Sequence, residues 1–475
     1  MELFDHQKEM VAAATESQRG IIQAPTGAGK TFVQAGIVAE ELKKGGFRVV
    51  LVKTPRIGLT NQVSKEYTDF LNQQSLDMEM FNLLVHSGNS IEIELEEGLD
   101  LDQHLEAMEL IDKYADATTS TGELTNRLEQ ARELNIPFIL YTTYHSTPKV
   151  INTLDRLGII PTLCMNDEAH YLVREDFATI FELTRPIREY FFTATLKTTI
   201  ASEGNGMNNV EKFGELIYSM GIQEAIEQNL ILPILPKVLR TNSTDTEQLQ
   251  VDNAAGEAIL TSYRELEERF TDLGAKLLVS VRGAKQIEDF LGSDEYTELR
   301  NAEVNILTVH SKSELTTYNG DTISREYFDK LKRDLGNNAA ERLIIIHYDI
   351  LSEGIDVPGL LGVLILRNMN EAKFLQTLGR AVRIYRDNPS LKKYGMLFFP
   401  DISDADLREN FVQMLQWIRR ENYISSEMLV EYNAMGQEED EVESQLEQDF
   451  NRQIVQEELD LYLDTIPELE FNEDF

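Results

Sequence analysis

Residues 20–31 read Gly-Ile-Ile-Gln-Ala-Pro-Thr-Gly-Ala-Gly-Lys-Thr. The apolar run Gly20–Gln23 predicts a short buried strand, and Lys30–Lys43 reads as a helix that stops at Gly45-Gly46. A strand, a glycine-bearing turn and a helix, in that order, make a cradle for phosphate. The glycines let backbone N–H groups turn inward, and the helix N-terminus adds its positive dipole end. In such a cradle Thr26, Gly27, Ala28 and Gly29 form the loop, Lys30 reaches the outer phosphates, and the Thr31 hydroxyl ligates Mg2+. ATP and Mg2+ are the expected cofactors. The strict pattern opens on Gly, where this chain has Ala24. A glycine-rich turn with a chance lysine is the competing reading, and the remaining motifs weigh against it.

Outward from this stretch, apolar strands alternate with helical segments. Met1–Ala14 has helical spacing, and Arg48–Lys53, Phe138–Tyr141, Leu163–Asn166 and Tyr190–Thr193 read as buried strands. A second set follows Pro233 and Pro236: Lys276–Val281, Asn305–His310, Arg342–His347, Gly362–Leu366 and Met396–Phe399. Alternation of this kind predicts an α/β fold with parallel sheets flanked by helices, here as two tandem domains. The expected domains are residues 1–230, 231–420 and a C-terminal helix and tail over 421–475.

Three further constellations carry chemistry. Asp167-Glu168-Ala169-His170 closes a predicted strand, at the edge where α/β sheets place ligands. Asp167 can hold Mg2+, and Glu168 can orient and deprotonate the attacking water. A solvated acidic turn is the bland alternative. Thr193-Ala194-Thr195 ends another strand, and its two hydroxyls could relay between sites or simply cap a helix. Gln376-Thr377-Leu378-Gly379-Arg380-Ala381-Val382-Arg383 lies on a predicted helix, with Arg380 and Arg383 on one face. Paired guanidinium groups suit the γ-phosphate oxygens of a nucleotide. The alternative is a solvated basic face, because Arg386 and Lys392–Lys393 follow closely.

The ordered set resembles a superfamily 2 helicase: Ala24–Thr31 (motif I), Thr54-Pro55-Arg56 (Ia), Asp167–His170 (II, DEAH), Thr193–Thr195 (III), Gly354–Asp356 (V) and Gln376–Arg383 (VI). Within the superfamily it is most similar to restriction-motor subunits, XPB-like repair helicases and phage branch-migration helicases. The resemblance implies two RecA-like lobes with ATP in the cleft between them, an ATP-hydrolysing enzyme, and movement along DNA with 3′ to 5′ polarity. It implies adenine contacts from Phe4 and Gln7, nucleotide contacts from Gly354 and Asp356, and catalytic roles for Lys30, Asp167, Glu168, Gln376, Arg380 and Arg383. Coupling falls to His170, Thr193 and Thr195. Nucleic-acid contacts fall to Thr54, Arg56, Thr142, Thr143, Tyr144, His310 and Ser311. An RNA helicase, a motor subunit of a restriction or defence complex, and a decayed non-enzymatic motor are the rivals. The compact form hints at a phage or mobile-element source.

The chain has 475 residues and a formal net charge of −38, which by itself argues against a nucleic-acid partner. The acid is concentrated, however. Residues 91–133 hold 13 acids against three bases and read as an inserted helical or mobile segment. Residues 438–475 hold 15 acids against one base, and Val442, Leu446, Phe450 and Ile454 repeat at helical spacing. The tail ends on an acidic, aromatic tip suited to docking in a basic pocket of a protein partner, or to competing for the chain's own DNA groove. No apolar run is long enough to span a bilayer and no signal peptide is visible, so a cytoplasmic protein without a membrane partner is expected. The single cysteine, Cys164, reads as packing in a strand, and Trp417 as a core anchor.

Overall fold

The computed structural model describes residues 2–74, 80–85, 117–118, 120–174, 177, 180, 185–199, 204–239, 251–310, 316–348, 357, 359–385, 389–400 and 405–423. Gly354, Asp356, Ser311, Arg386, most of the acidic segment before Ala117 and the whole acidic tail lie outside the described residues. The chain divides into two compact units between Ala225 and Ile226.

The first unit is a fully parallel eight-stranded sheet built from β1 (Arg19–Gln23), β2 (Val49–Thr54), β3 (Phe81–Val85), β4 (Ala117–Thr118), β5 (Phe138–Thr143), β6 (Leu163–Asn166), β7 (Glu189–Thr193) and β8 (Glu215–Ser219). Its order is β4-β3-β5-β2-β6-β7-β1-β8. Strands β2, β5, β6 and β7 are buried along their whole length, as both faces of a parallel sheet must be when helices cover them. Because every strand runs the same way, the residues following β1, β6 and β7 gather at one sheet edge. Backbone bonds fix that edge: the Ala24 amide donates to Thr193 O at 3.1 Å, and the Asp167 amide to Lys53 O at 2.8 Å.

The acidic segment is not wholly an appendage. Thr121–Leu134 is a helix capped by the Ser120 hydroxyl, and it turns Leu124, Leu128 and Ala131 into the core formed with Val49, Leu51, Phe138 and Leu140. Its acids lie on the outer face, where Glu123, Glu129 and Glu133 are exposed.

The second unit has β9 (Ile234–Leu239), β10 (Lys276–Ser280), β11 (Asn305–Val309), β12 (Thr317–Tyr318), β13 (Asp321–Thr322), β14 (Leu343–His347), β15 (Gly362–Ile365) and β16 (Gly395–Pro400). Their order is β13-β12-β11-β14-β10-β15-β16-β9, parallel except for the short β12–β13 hairpin. Pro236 lies within β9, which is tolerated because β9 is an edge strand. The two sheets with flanking helices are the tandem RecA-like domains expected from the sequence.

Candidate nucleotide site

The phosphate loop leaves β1 and enters α2 (Lys30–Leu42). Gly27 and Gly29 take φ values of 98° and 79°, a region that L side chains rarely adopt, so these two glycines allow the loop its path. A Cβ placed on Gly29 would meet Gln7 Nε2 at 2.3 Å. Gln7 is therefore pressed onto the loop, and it is oriented there by the Phe4 amide, which donates to its Oε1 at 3.0 Å. His6, buried in α1 (Asp5–Glu16), donates a ring N–H to the Ala28 carbonyl at 3.0 Å. Phe4 is 66% exposed and stacks on His6, leaving an aromatic face open to a flat ligand. Lys30 folds back over the loop, donating to Ala24 O at 2.9 Å and Pro25 O at 3.3 Å. Those neutral bonds are ones that phosphate oxygens would replace at a gain. Thr26 and Thr31 are half-buried at the two ends of the loop.

The acid pair sits across from this loop. Asp167 is buried, and burial raises its pKa while Lys30 and a bond from Gln34 pull it back. Gln34 Nε2 donates to Asp167 Oδ1 at 2.7 Å. The Tyr67 hydroxyl in turn donates to Gln34 Oε1 at 2.8 Å. Tyr144 donates to the Asp167 carbonyl at 2.5 Å. Glu168 adopts a left-handed backbone, φ 47°, which is costly for a non-glycine residue and occurs where surrounding contacts impose it.

His170 and Thr193 meet as the sequence suggests. His170 Nδ1 lies 3.2 Å from Thr193 Oγ1 and 3.4 Å from Glu168 Oε2. Burial, with Lys197 and Lys30 nearby, pushes the ring down to about 3, so it is neutral at pH 7 and its approach to Glu168 is no ion pair. Thr193 already donates its proton to Thr195 O at 2.8 Å. The histidine must therefore donate from Nδ1, a tautomer assigned from this network.

Several residues expected at a nucleic-acid face point inward. Thr54, Thr142 and Tyr144 are fully buried. Thr54 bonds the Thr60 hydroxyl at 2.6 Å, and Thr143 donates to Ser146 Oγ at 3.1 Å. Tyr144 spends its hydroxyl on Asp167 and serves the acid. Arg56 stands at the N-cap of α3 (Ile57–Gln73). In the second unit His310 follows β11 and stacks on Tyr348, over which Arg367 lies at 5.1 Å.

Motif VI starts on the helix Glu371–Ala381, capped by Asn370, but the helix ends before Arg383, so the expected single helical face for Arg380 and Arg383 does not form. Asn410, from the helix Ala405–Arg420, holds its approach through two bonds with Met369, and Phe374 packs on Trp417. Arg380 is buried, while Gln376 and Arg383 are half-buried. The basic stretch beyond it is not a uniform solvated face: Lys393 is exposed but Lys392 is buried.

His6, Gln34, Tyr67 and Lys392 had no motif to mark them. Asp167 and Thr31 offer two protein oxygens for Mg2+, which usually takes few protein ligands and completes its shell with phosphate and water. Among the described residues no cluster of three or more metal-binding side chains exists, and no helix is long and apolar enough to cross a membrane.

Residues 1–198 match the family described as "Type III restriction enzyme, res subunit". The whole-chain fold matches the ATP-dependent Type ISP restriction-modification enzyme LlaBIII bound to DNA, at 18% identity and a TM-score of 0.63 over 88% of this chain and 30% of that one. The likeness is one of fold, two α/β units in tandem. The same fold also matches the DUF1998 helicase MrfA bound to DNA (12% identity, TM-score 0.57, 88% of this chain and 49% of that one). It matches Mss116p bound to single-stranded RNA and AMP-PNP as well (16% identity, TM-score 0.53, 89% and 73%). The chain spans less than a third of the two Type ISP restriction enzymes it matches. No curated protein matches it.

Proposed function

We propose that this chain is a helicase core, an ATP-driven motor that moves along DNA. The observation that carries the reading is a phosphate loop of the required shape on which Lys30 folds back, with Asp167 held by Gln34 close enough to feel the Lys30 charge. Bound ATP with Mg2+ supplies the phosphoryl group whose transfer drives the motor. The loop amides of residues 26–29 and Lys30 bind its phosphates; Thr31 and Asp167 hold the metal; Glu168 orients the attacking water and takes its proton. Arg380 and Arg383 neutralise charge on the transferred group, with Gln376, Gly354 and Asp356 as further nucleotide contacts. Phe4 and Gln7 read the base. His170, Thr193 and Thr195 pass the hydrolysis state to the nucleic-acid contacts proposed at Thr54–Arg56, Thr142–Thr143 and His310–Ser311, where the buried Thr54 and Thr142 would act through their backbone. The DNA preference draws support from the restriction-family match and from the DNA-bound neighbours, against the RNA-bound one.

The test is ATP hydrolysis with duplex DNA, forked DNA, single-stranded DNA or RNA. We expect DNA to stimulate it, and Lys30→Ala to abolish it. Stimulation by RNA alone would overturn the DNA reading, and full turnover by Lys30→Ala the ATPase reading.

A second reading, a motor subunit of a restriction or defence complex, is favoured by the match of residues 1–198 to a restriction subunit. Cleavage would then come from a partner, for which the acidic tail, residues 438–475, is the proposed docking arm. Deleting the tail should release a co-purifying subunit; retention of that subunit would sink the docking role.

A further inference from the structure

The turn bearing Arg380 and Arg383 is held by a buried cation. A helix leaves its last carbonyls without partners of its own. At the end of Glu371–Ala381 these carbonyls are taken from outside. Lys392 Nζ donates to Ala381 O at 2.5 Å, to Arg383 O at 2.9 Å and to Leu360 O at 2.6 Å. Between them, Val382 O accepts the Leu232 amide at 2.7 Å. Gly395 closes the arrangement, since a Cβ there would lie 2.4 Å from Ala381 O.

Three acceptors around one nitrogen match the three N–H donors of an ammonium; a neutral amine has two. The side chain is 1% exposed and all three acceptors are backbone carbonyls. Burial, with Arg383 beside it, pushes Lys392 down to about 7. A buried charge without a counter-charge is costly. An apolar residue would fill a core position at lower cost, but it would leave these carbonyls unpaired and free to shift. Leu360 lies just beyond motif V, so the ammonium joins the segment after motif V to the arginine-bearing turn.

We propose that Lys392 is a positioning residue for Arg380 and Arg383: by tying the Ala381 and Arg383 carbonyls to Leu360, it fixes the backbone from which both guanidinium groups project. The proposal rests on reading those arginines as charge-stabilising groups in ATP hydrolysis.

The test is a double-mutant cycle on nucleic-acid-stimulated ATP hydrolysis, with wild type, Lys392→Met, Arg383→Ala and the double variant. Misplaced catalytic groups cost on the order of 10²-fold. We expect Lys392→Met to lower kcat by about 10- to 100-fold, with KM for ATP changed less than about threefold, because the first unit binds the nucleotide. In the Arg383→Ala background Lys392→Met should cost clearly less than in the wild type, the remainder reporting Arg380. Multiplying losses, or an unchanged kcat in the single variant, would overturn the role. Lys392→Gln keeps two donors and loses the charge, and it serves if the methionine variant does not fold; an intermediate kcat supports the role and a wild-type kcat overturns it. A wild type without any ATPase overturns the motor reading and this role with it, whereas an active wild type indifferent to Lys392 overturns this role alone.

Discussion

Lys53 in the first unit and Lys392 in the second are equally buried, each 1% exposed, yet their affinities for the proton move in opposite directions. Burial alone would lower Lys53 as well, but Cys164 and Glu189 beside it outweigh burial and raise it. Burial pushes the Cys164 thiol up to about 12, so it is neutral at pH 7. The partner that matters there is the Glu189 carboxylate, 3.2 Å from Lys53 Nζ and also bound by Arg19 at 2.6 Å and Asn166 at 3.1 Å. Among the described residues Lys392 is held by carbonyl dipoles alone, and it falls to about 7. The difference teaches that burial sets the cost of a charge and the partner's own charge decides whether it is met. In the first unit the buried pair belongs to the sheet. In the second, the cation binds backbone carbonyls at the end of the helix that carries Arg380 and in the turn that carries Arg383.

The comparison can be broken most forcefully at Glu189. Glu189→Gln turns the Lys53 site into one like that of Lys392, and stranding a buried charge in this way costs about 3–5 kcal/mol. Urea unfolding should show that loss; a change below about 1 kcal/mol would mean that Lys53 does not depend on the Glu189 charge.

The pH dependence sharpens it next. Lys392 has a folded-state pKa of about 7, below the unfolded 10.5, so between those values the unfolded chain holds the extra proton. Stability therefore rises with pH across that window, by up to about 1.4 kcal/mol per pH unit. Lys53 has the opposite sign: its contribution is complete below 10.5 and is lost only above its raised folded value. Measured between pH 7 and 10, the stability of wild type relative to Lys392→Met should climb, and a flat difference would show that Lys392 stays charged.

The smallest effect is expected where no charge is involved. Tyr67→Phe removes only the hydroxyl that holds Gln34 against Asp167. A neutral hydrogen bond is worth about 1 kcal/mol, and we expect that loss in stability together with a raised Mg2+ requirement for ATP hydrolysis. An unchanged Mg2+ titration would show that Gln34 keeps its place without the tyrosine.

The legible parts of the chain were those whose signal is local. The phosphate loop, the strand before Asp167 and the helix through Gln376 and Arg380 each sit within a few residues, and the structure forms each as a turn, strand or helix, though the helix stops at Ala381, short of Arg383. Edge strands were silent: β8 has mostly exposed or half-buried residues and no alternation, and β9 carries a proline. The supporting residues were silent for a different reason. Gln34 and Asp167 are 133 positions apart, and Lys392 meets Leu360 across 32, so only folding brings them together. Lys392 beside exposed Lys393 reads as one basic face until burial separates them.

The helix Thr121–Leu134 sets a limit on trimming. An engineer wishing to neutralise the chain would cut residues 91–133 as surplus acid, and would remove Leu124, Leu128 and Ala131 from beneath the sheet. β4 would go too, and with it the partner of β3. An excision that spares this helix and β4 stops before Ala117; past that point, acidity and foldability are written in the same residues.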